Sequence, residues 1–441
     1  MKLPVRIFNI IVVFLTANLL LFVQGTGWNY LWLIPVALYL QTIFCPSRYT
    51  RKMLKKRLQV CAEGCEQLII FIASSAMSVI LYTFTLHRVH DMGVAPWFLS
   101  IIICICVEAL LFWNGIFRIY VTSAQLGLKQ RILGVLFGWI PVLNIIMLFH
   151  LIQIAMDEAI FENDKLVTNQ LRKKDEICKT RYPLLLVHGV FFRDMKYINY
   201  WGRAADEMIT HGAVIHYGNH QSAASVMDCG RVLAEKIKEI VETTGCEKLN
   251  VIAHSKGGLD VRSAITHFGA GDKVASLTTI CTPHHGCCFA EHLLGKFSEK
   301  TKAGIARRYN TTLMKLGDLN PDFLSAVNDL TPGACEAFNA MTPDDPRVLY
   351  QSCGARMKNS SGGRFPLNYS YRMVSPHDGI NDGLVSVESA QWGSSFAVIA
   401  TKGKRGVSHG DVIDLTRENI KGFDVREFYV QLVSGLKNQG L

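Results

Sequence analysis

Residues 249–258 read LNVIAHSKGG, in which an apolar strand runs into a serine flanked by small residues and a helical pattern follows. This pattern is typical of a nucleophile elbow, a turn so tight that the positions two before and two after the serine must be very small. Here they are Ala253 and Gly257, and the alanine is a mild departure from the commoner G-x-S-x-G. The stretch predicts that Ser255 is a catalytic nucleophile. The alternative is an ordinary strand-to-helix turn capped by Ser255.

Two later stretches supply a base and an acid in the chain order Ser, Asp, His that such sites use. Asp382 lies in the polar turn of GINDGLVS, residues 379–386, and His409 lies in the glycine-rich stretch GVSHGD, residues 406–411. Asp378 is the rival acid. Asp382 is preferred because the apolar pair that follows it would anchor its turn in the core.

An earlier strand end offers backbone donors for an oxyanion. The apolar run 184–187 ends in His188-Gly189, and a glycine there allows a sharp turn that exposes the next amide. The N–H of Val190 is therefore predicted to point at the substrate oxygen. The N–H of Lys256, directly after the nucleophile, is predicted to be the second donor. A plain strand-end turn is the alternative for this stretch.

These stretches, with several others, resemble the bacterial true-lipase group, secreted triacylglycerol lipases of the α/β-hydrolase fold. The motifs fall in that group's order within residues 181–441, and they are PLLLVHG, AHSKGG, TPHHG (282–286), DLT (329–331) with FNA (338–340), NDGLV and SHGD. The resemblance implies an α/β-hydrolase fold, a mostly parallel sheet with helices on both faces. It also implies that Ser255, Asp382 and His409 are the catalytic triad.

The resemblance further implies a lid and raises the question of a structural calcium ion. In that group the segment between TPHHG and DLT covers an acyl pocket, here about residues 287–328. A simple surface helix pair is the alternative. The group often carries a structural calcium near the histidine loop, and Asp411 matches one of its ligands. A further ligand, usually a glutamine, has no match in residues 412–416, and calcium takes six or more oxygens. Calcium is thus a possible addition, Asp411 is alternatively a helix cap, and the ester chemistry itself requires no cofactor.

The first third of the chain is much more apolar than the rest. It contains five apolar runs near the length that crosses a bilayer: 7–23, 28–44, 67–86, 95–117 and 132–154. They predict an all-α transmembrane region of about five spans over residues 1–155. A polar linker at 156–180 and the α/β-hydrolase domain at 181–441 follow.

Charge placement predicts the orientation of these runs. Lys2 and Arg6 precede the first run, and the loop after the second carries six basic residues: Arg48, Arg51, Lys52, Lys55, Lys56 and Arg57. Basic residues in short loops resist translocation, so the N-terminus and this loop are predicted to be cytoplasmic. Five spans then place the hydrolase domain on the extracytoplasmic side of the cell membrane. If one run is re-entrant, as Pro141 allows in the fifth, the domain lies in the cytoplasm.

The alternation of apolar and polar segments after residue 180 predicts the elements of the second domain. Helices are expected at 230–242, with Gly245 past its end, at 256–268 and at 425–432. Strands are expected at 184–187, 249–253, 274–280, 348–352, 371–374 and 396–400.

Composition narrows the function classes. The formal net charge of +10 suits an anionic membrane surface, and no stretch resembles a nucleic-acid-binding module, so the charge is no evidence for DNA or RNA. The 13 cysteines include no C-x-x-C pair, and their spacing fits no zinc pattern.

Together the patterns predict a membrane-anchored serine hydrolase of lipid esters, either a triacylglycerol lipase or a carboxylesterase, that forms an acyl-enzyme. One alternative is a phospholipase or acyltransferase that uses the same triad. The other is a non-catalytic lipid-binding membrane protein, and the presence of Ser255, Asp382 and His409 argues against it.

Overall fold

The computed structural model describes residues 3–44, 46, 52–86, 89, 93–190, 200–221, 223–296, 298–315 and 317–441. The chain divides into two compact units, Met1–Leu171 and Arg172–Leu441. The division falls inside the segment predicted to be a linker. The first part of that segment is helical, because the preceding helix continues to Arg172.

The described part of the N-terminal unit consists mainly of α-helices. They are α1 (Leu3–Ala17), α2 (Leu19–Thr26), α3 (Leu33–Phe44), α4 (Lys56–Thr85), α5 (Val94–Thr122), α6 (Leu128–Phe137) and α7 (Leu143–Arg172). Among the described residues, three helices are long and apolar enough to cross a membrane, namely α4, α5 and α7.

Five spans were predicted, and the described residues contain fewer helices that are long and apolar enough to cross a membrane. The first run bends by 70° between α1 and α2, so this pair is at most one broken span or a re-entrant loop. The second run forms only a short apolar helix, Tyr30–Phe44. The fifth run is interrupted at 138–142, around Pro141, and divides into α6 and α7. The structure thus offers three spans within the described residues, or four if the bent pair counts as one. Lys2, Arg48 and Arg51, used for the orientation, lie outside the described residues.

Helices α4 and α5 pack closely where two glycines meet. A Cβ at Gly64 would lie 2.9 Å from the Gly115 carbonyl oxygen, and a Cβ at Gly115 would lie 2.7 Å from Leu68 Cγ. Small residues of this kind allow helix backbones to approach in an apolar environment. Three buried carboxylates of this unit are neutralised by arginine, in the pairs Glu66–Arg6, Glu63–Arg118 and Glu158–Arg57.

The C-terminal unit is built on a six-stranded sheet with the order β2-β1-β3-β4-β5-β6, in which every neighbouring pair is parallel. The strands are β1 (Leu184–Val187), β2 (Ile215–Tyr217), β3 (Leu249–His254), β4 (Val274–Ile280), β5 (Leu349–Ala355) and β6 (Ser395–Ile399). The strands predicted at 184–187, 249–253, 274–280, 348–352 and 396–400 are therefore present. Their ends agree within one residue, except that β5 continues three residues beyond 352. The short strand β2 was not predicted.

Helices cover both faces of this sheet. Successive strand residues point to opposite sides, so each face carries apolar side chains that need a cover. Leu184 and Leu186 face a core completed by α8 (Ala204–Thr210) and α16 (Val425–Asn438). Leu185 and Val187 face a second core completed by α9 (Val226–Thr244) and α10 (Gly257–His267). The predicted α/β fold with helices on both faces is thus confirmed.

The other helices lie between β4 and β6. They are α11 (Cys288–Lys296), α12 (Glu299–Lys315), α13 (Phe323–Asn328), α14 (Pro332–Met341) and α15 (Leu367–Asp378). The strand predicted at 371–374 is wrong, because those residues belong to α15. A short apolar run does not distinguish a strand from a buried helical turn, and here Ser370 and Val374 form the buried side of a helix.

The strand order locates the site. From β1 the chain first adds β2 on one side of the sheet and then β3 on the other. The loops that follow β1 and β3 therefore run in opposite directions, which leaves a crevice at the carboxyl ends of these two strands. His188 follows β1 and Ser255 follows β3, so the two predicted loops meet at this crevice.

Candidate active site

Ser255 occupies a strained turn between β3 and α10. Its φ of +54° lies in the left-handed region, which is costly for a residue other than glycine. The turn is fixed on both sides, since the Ser255 N–H donates to the Ile280 carbonyl at 2.9 Å and Thr282 Oγ1 donates to the Ser255 carbonyl at 2.7 Å. The sharp strand-to-helix turn expected of an elbow is therefore present at this serine.

The small residues around Ser255 are required by close contacts. A Cβ on Gly257 would overlap the carbonyl oxygen of His188 and lie 3.1 Å from Val187 Cγ1. Across the same gap, a Cβ on Gly189 would lie 2.8 Å from Ser255 Cβ. The loop after β1 and the elbow after β3 thus approach each other through two glycines.

Asp382 and His409 are brought together by two loops. His409 Nδ1 lies 2.7 Å from Asp382 Oδ2, and the His409 N–H donates to the Asp382 carbonyl at 2.8 Å. The other carboxylate oxygen, Oδ1, accepts the N–H groups of Leu384 and Val385 at 3.0 and 2.8 Å. Both carboxylate oxygens are therefore held, and the ring nitrogen Nε2 of His409 faces away from the acid.

Asp378 does not contact His409 in this way. It ends α15, and its Oδ2 accepts the N–H of Cys288 at 3.2 Å. Of the two acids considered from the sequence, the structure places Asp382 beside the histidine.

The His409 ring lies next to the elbow. Its centroid is 4.5 Å from that of His254, the residue directly before Ser255. The Cys281 thiol is close to the Asp382–His409 pair, with the three ligand atoms within 4.8 Å of one another. Burial raises the pKa of this thiol well above its usual range, so it stays protonated and is available as a donor to Asp382.

The two predicted oxyanion donors flank the elbow. Nδ1 of His188 lies 2.8 Å from the Gly189 carbonyl oxygen. Burial lowers the pKa of His188 to about 3, so the ring is neutral and carries one proton. Its other nitrogen, Nε2, lies 3.2 Å from the His220 carbonyl oxygen, and the shorter contact of Nδ1 favours a hydrogen bond to Gly189. Because the peptide is planar and trans, the N–H of Val190 points the opposite way from that carbonyl. The N–H of Lys256 lies at the N-terminal end of α10, where helix N–H groups have no acceptor within the helix.

A buried ion pair lies behind the elbow. Lys256 Nζ is 2.5 Å from Asp260 Oδ1, and both side chains are almost fully buried. Burial disfavours both charges, yet the Asp260 carboxylate raises the pKa of Lys256, and the lysine stays charged. Asp260 lies within 4.8 Å of ligand atoms of His220 and Cys229. This trio does not fit a metal cation, because the Lys256 ammonium already neutralises the carboxylate.

The predicted lid region is helical and packs over the elbow. Residues 287–328 include α11, α12 and α13. An apolar cluster joins Phe323 and Val327 of α13 to Leu259 of α10, and Val190 packs against it. Ser255 itself is only 7% exposed. These contacts place α13 against α10, the helix that follows the elbow.

The surroundings of Asp411 do not fit a calcium ion. Asp411 Oδ2 accepts the N–H and the Oγ–H of Ser408 at 2.8 and 2.7 Å, and Oδ1 accepts from the Arg405 guanidinium at 3.0 Å. Arg405 also pairs with Glu418 at 3.3 Å. An arginine thus supplies the positive charge between these carboxylates, whereas calcium requires six or more oxygen ligands.

Two side chains of the site were not among the predicted residues. Arg405 holds Asp411, two residues after His409, and Tyr200 hydrogen-bonds to Gly189 and His254. Neither belongs to a motif that the sequence offered, since both act through partners more than five residues away in the chain.

Part of this chain is similar to known proteins. Residues 184–331 match the family described as "Putative serine esterase (DUF676)". Triacylglycerol lipases of Pseudarthrobacter phenanthrenivorans and Burkholderia plantarii are each 30% identical over 210 residues, which is 45% of this chain and 65% and 58% of theirs. The resemblance to lipases is confirmed. This chain therefore spans less than two thirds of the length of these two relatives.

The structure is also similar to that of the Staphylococcus hyicus lipase, with 19% identity, a TM-score of 0.47 and coverage of 59% of this chain and 96% of that one. The sequence relatives support a serine esterase or lipase-like function, in agreement with the predicted class of ester hydrolase.

Proposed function

We propose that this protein is a membrane-anchored serine hydrolase that cleaves carboxylic esters of lipids with the triad Ser255, His409 and Asp382. The observation that carries the proposal is the Asp382–His409 pair, 2.7 Å long, held beside a serine with positive φ at the carboxyl end of the sheet. The names of the relatives support triacylglycerols and simpler carboxylic esters as the substrate class.

The chemistry follows from the roles of these groups. Nε2 of His409 takes the proton of Ser255 Oγ as that oxygen attacks the ester carbonyl carbon. Asp382 holds the imidazole through Nδ1 and stabilises the imidazolium that forms. The N–H groups of Val190 and Lys256 bind the oxyanion of the tetrahedral intermediate. His409 then protonates the departing alkoxide, leaving an acyl-serine. Water attacks this acyl-enzyme with His409 as the base, which releases the fatty acid and restores the serine.

The region 287–328 is proposed to act as a lid. Its contacts with Leu259 and Val190 would have to open before a long acyl chain could enter, and the apolar surface exposed would be stabilised by a lipid interface. A membrane-anchored enzyme meets such an interface at every encounter with substrate.

Ester hydrolysis by the purified full-length chain tests the proposal. Short-chain esters, triacylglycerols and phospholipids should be assayed side by side, and we expect carboxylic ester cleavage with the acid as product. Ser255→Ala should lower kcat by several orders of magnitude. Ser263→Ala, a buried serine in α10, is the matched control and should retain activity. Equal activity of the Ser255 variant and the wild type would refute the assignment, and cleavage of phospholipids alone would favour the phospholipase alternative.

The placement of the domain is a second part of the proposal. If the basic loop before α4 is cytoplasmic, crossings by α4, α5 and α7 leave residues 181–441 on the extracytoplasmic side. A reporter active only outside the cytoplasm should be active when fused after Leu441 and silent when fused after Gln59. If both fusions are silent, one of the three helices does not cross, and the enzyme acts on the cytoplasmic side.

A further inference from the structure

The segment Tyr200–Arg203 contacts three loops of the candidate site: the loop after β1, the elbow and the histidine loop. Tyr200 bonds to the loop after β1 and to the elbow. Trp201 is fully buried against Tyr429 of α16. Arg203 makes a two-pronged ion pair with Asp414, three residues after Asp411 in the histidine loop, at 2.8 Å for each contact. This segment therefore joins elements that lie far apart in the sequence.

The Tyr200 hydroxyl bridges the two loops that carry the oxyanion donors and the nucleophile. It accepts the N–H of Gly189 at 3.0 Å and lies 2.6 Å from Nδ1 of His254, the residue before Ser255. A tyrosine hydroxyl has one proton, and its bond from Gly189 uses an oxygen lone pair. The 2.6 Å contact with His254 is therefore a second hydrogen bond of the same oxygen, whichever of the two groups supplies the proton.

The protonation state of His254 matches this arrangement. The ring is 1% exposed, and burial lowers its pKa well below the usual range, an effect to which nearby His409 adds. A neutral ring that accepts at Nδ1 carries its proton on Nε2. A ring that instead donates from Nδ1 uses the second lone pair of the Tyr200 oxygen, so the bridge between the two loops holds with either tautomer of His254.

Gly189 is consequently held at both ends of its residue. Its N–H is bound by Tyr200, and its carbonyl oxygen is bound by Nδ1 of His188 at 2.8 Å. The bond from Tyr200 holds the 188–189 peptide, and the bond from His188 holds the 189–190 peptide, which presents the N–H of Val190. They also keep the N–H of Gly189 from competing for the oxyanion.

We propose that Tyr200 is a positioning residue whose hydroxyl fixes the oxyanion loop against the nucleophile elbow. This proposal rests on the function proposed above. Without the hydroxyl, the buried N–H of Gly189 loses its acceptor, so the 188–189 peptide rotates toward another one and displaces the following peptide that presents Val190. The donor geometry in the transition state suffers, whereas substrate binding through the acyl chain does not.

Tyr200→Phe tests the proposal because it removes only the hydroxyl and keeps the ring contacts. Tyr350→Phe is the matched control, since Tyr350 is also buried and its hydroxyl also accepts a backbone N–H, that of Asp345 at 3.1 Å. Active sites are titrated to completion with a fluorophosphonate, and kcat is expressed per titrated site. Any misfolded fraction is thereby removed from the comparison.

We expect kcat per site to fall on the order of 10- to 100-fold in Tyr200→Phe, the scale of losing part of one oxyanion donor. KM for a short-chain ester should change less than about twofold, and the apparent pKa of the pH–kcat/KM profile should not move. The Tyr350 control should resemble the wild type. A Tyr200 variant with unchanged kcat per site, or one in which KM rises while kcat holds, would overturn the proposal.

A second pair of variants decides the matter if Tyr200→Phe gives no titratable sites. His254→Asn keeps an acceptor near Nδ1 and should retain most of kcat, while His254→Leu removes it and should lose kcat as expected for Tyr200→Phe. Equal kcat in these two variants would contradict the proposal. A wild-type chain that neither reacts with the fluorophosphonate nor cleaves esters would instead refute the proposed function.

Discussion

At the scale of single residues, the distance between the two loops of the site depends on Gly189 and Gly257. A side chain at Gly257 would run into the His188 carbonyl oxygen, and one at Gly189 would press on Ser255. Since both neighbours are backbone or buried groups, the loops would have to move apart. The separation of the oxyanion donors from Ser255 is thus determined by the absence of two Cβ atoms.

Gly257→Ala should therefore damage both stability and catalysis. Overpacking of this kind costs about 1–3 kcal/mol of the free energy of unfolding, and displaced donors should lower kcat by about tenfold or more. Gly333→Ala in α14 is the control, because a Cβ there would meet nothing within 4 Å. Thermal unfolding and ester assays on both variants test this prediction. A Gly257 variant indistinguishable from the Gly333 variant would contradict it, because the elbow would then accommodate a Cβ.

The sequence was informative about residues whose chemistry is local. Ser255 was predictable because a strained elbow restricts the residue types at fixed positions around it. Asp382 was preferred over Asp378 for the apolar pair behind it, and the amides of that pair do hold its carboxylate. Tyr200 was not predictable, because its role depends on a strand end and an elbow that only the folded sheet brings together.

At the scale of elements, the histidine loop is braced by ion pairs. Arg405 connects Asp411 with Glu418, and Arg364 also pairs with Glu418. Asp411 is buried, which raises its pKa, while Arg405 acts in the opposite direction and favours the carboxylate. The loop after β6 is thus held by side chains of this chain, at the position where the lipase resemblance would place a calcium ion.

Activity of the wild type should therefore survive exhaustive treatment with a calcium chelator, to within about twofold. Arg405→Ala should lower kcat on the order of 10²-fold, because a displaced histidine loses its alignment with Ser255. Lys402→Ala, an exposed basic residue in the same connection, is the control. Chelator-sensitive activity in the wild type would show that a metal is needed in spite of the arginine.

Element boundaries were predicted well where capping signals exist and poorly where only hydropathy was available. Gly245 was expected past the end of α9, and it does end that helix with a φ of +69°. At the other end Ser225 is the N-cap, and the helix begins at Val226, four residues before the predicted start at 230. In the N-terminal unit, hydropathy alone did not reveal the 70° bend after α1 or the break around Pro141. An apolar run remains apolar whether or not its helix is continuous, so hydropathy alone does not give the number of helices long enough to cross a membrane.

At the scale of the whole molecule, the C-terminal unit contains three histidines buried in the neutral form. Burial lowers the pKa of His188 to about 3 and those of His254 and His284 well below the usual range. The unfolded chain therefore binds these protons near pH 6.5 while the folded chain does not. Stability from this source is complete above that pH and is lost as the pH falls. Burial raises the pKa of Asp260 to about 6, so the folded chain binds one proton there that the unfolded chain does not. This proton favours the folded state as the pH falls and offsets part of the effect of the three histidines.

We expect the free energy of unfolding to fall by about 3 kcal/mol between pH 7.5 and pH 5.5, from roughly 1.4 kcal/mol per histidine less the contribution of Asp260. Thermal unfolding of the full-length chain in a neutral detergent at the two pH values measures the change. His284→Gln should reduce the pH dependence by nearly half, from about 3 to about 1.6 kcal/mol, since one of the three titrating rings is gone while Asp260 remains. Midpoints that are equal at both pH values would mean that these rings are not neutral when folded.

The central claim is that Ser255 is activated by His409, which Asp382 holds in place. The most direct measurement is the rate of fluorophosphonate labelling of the full-length chain, with the adduct located by mass spectrometry. We predict a single adduct on Ser255, labelling at least about 10²-fold slower in Asp382→Asn, and a near-normal rate in Asp378→Asn. An adduct on another residue, or a greater loss in the Asp378 variant than in the Asp382 variant, would contradict the account.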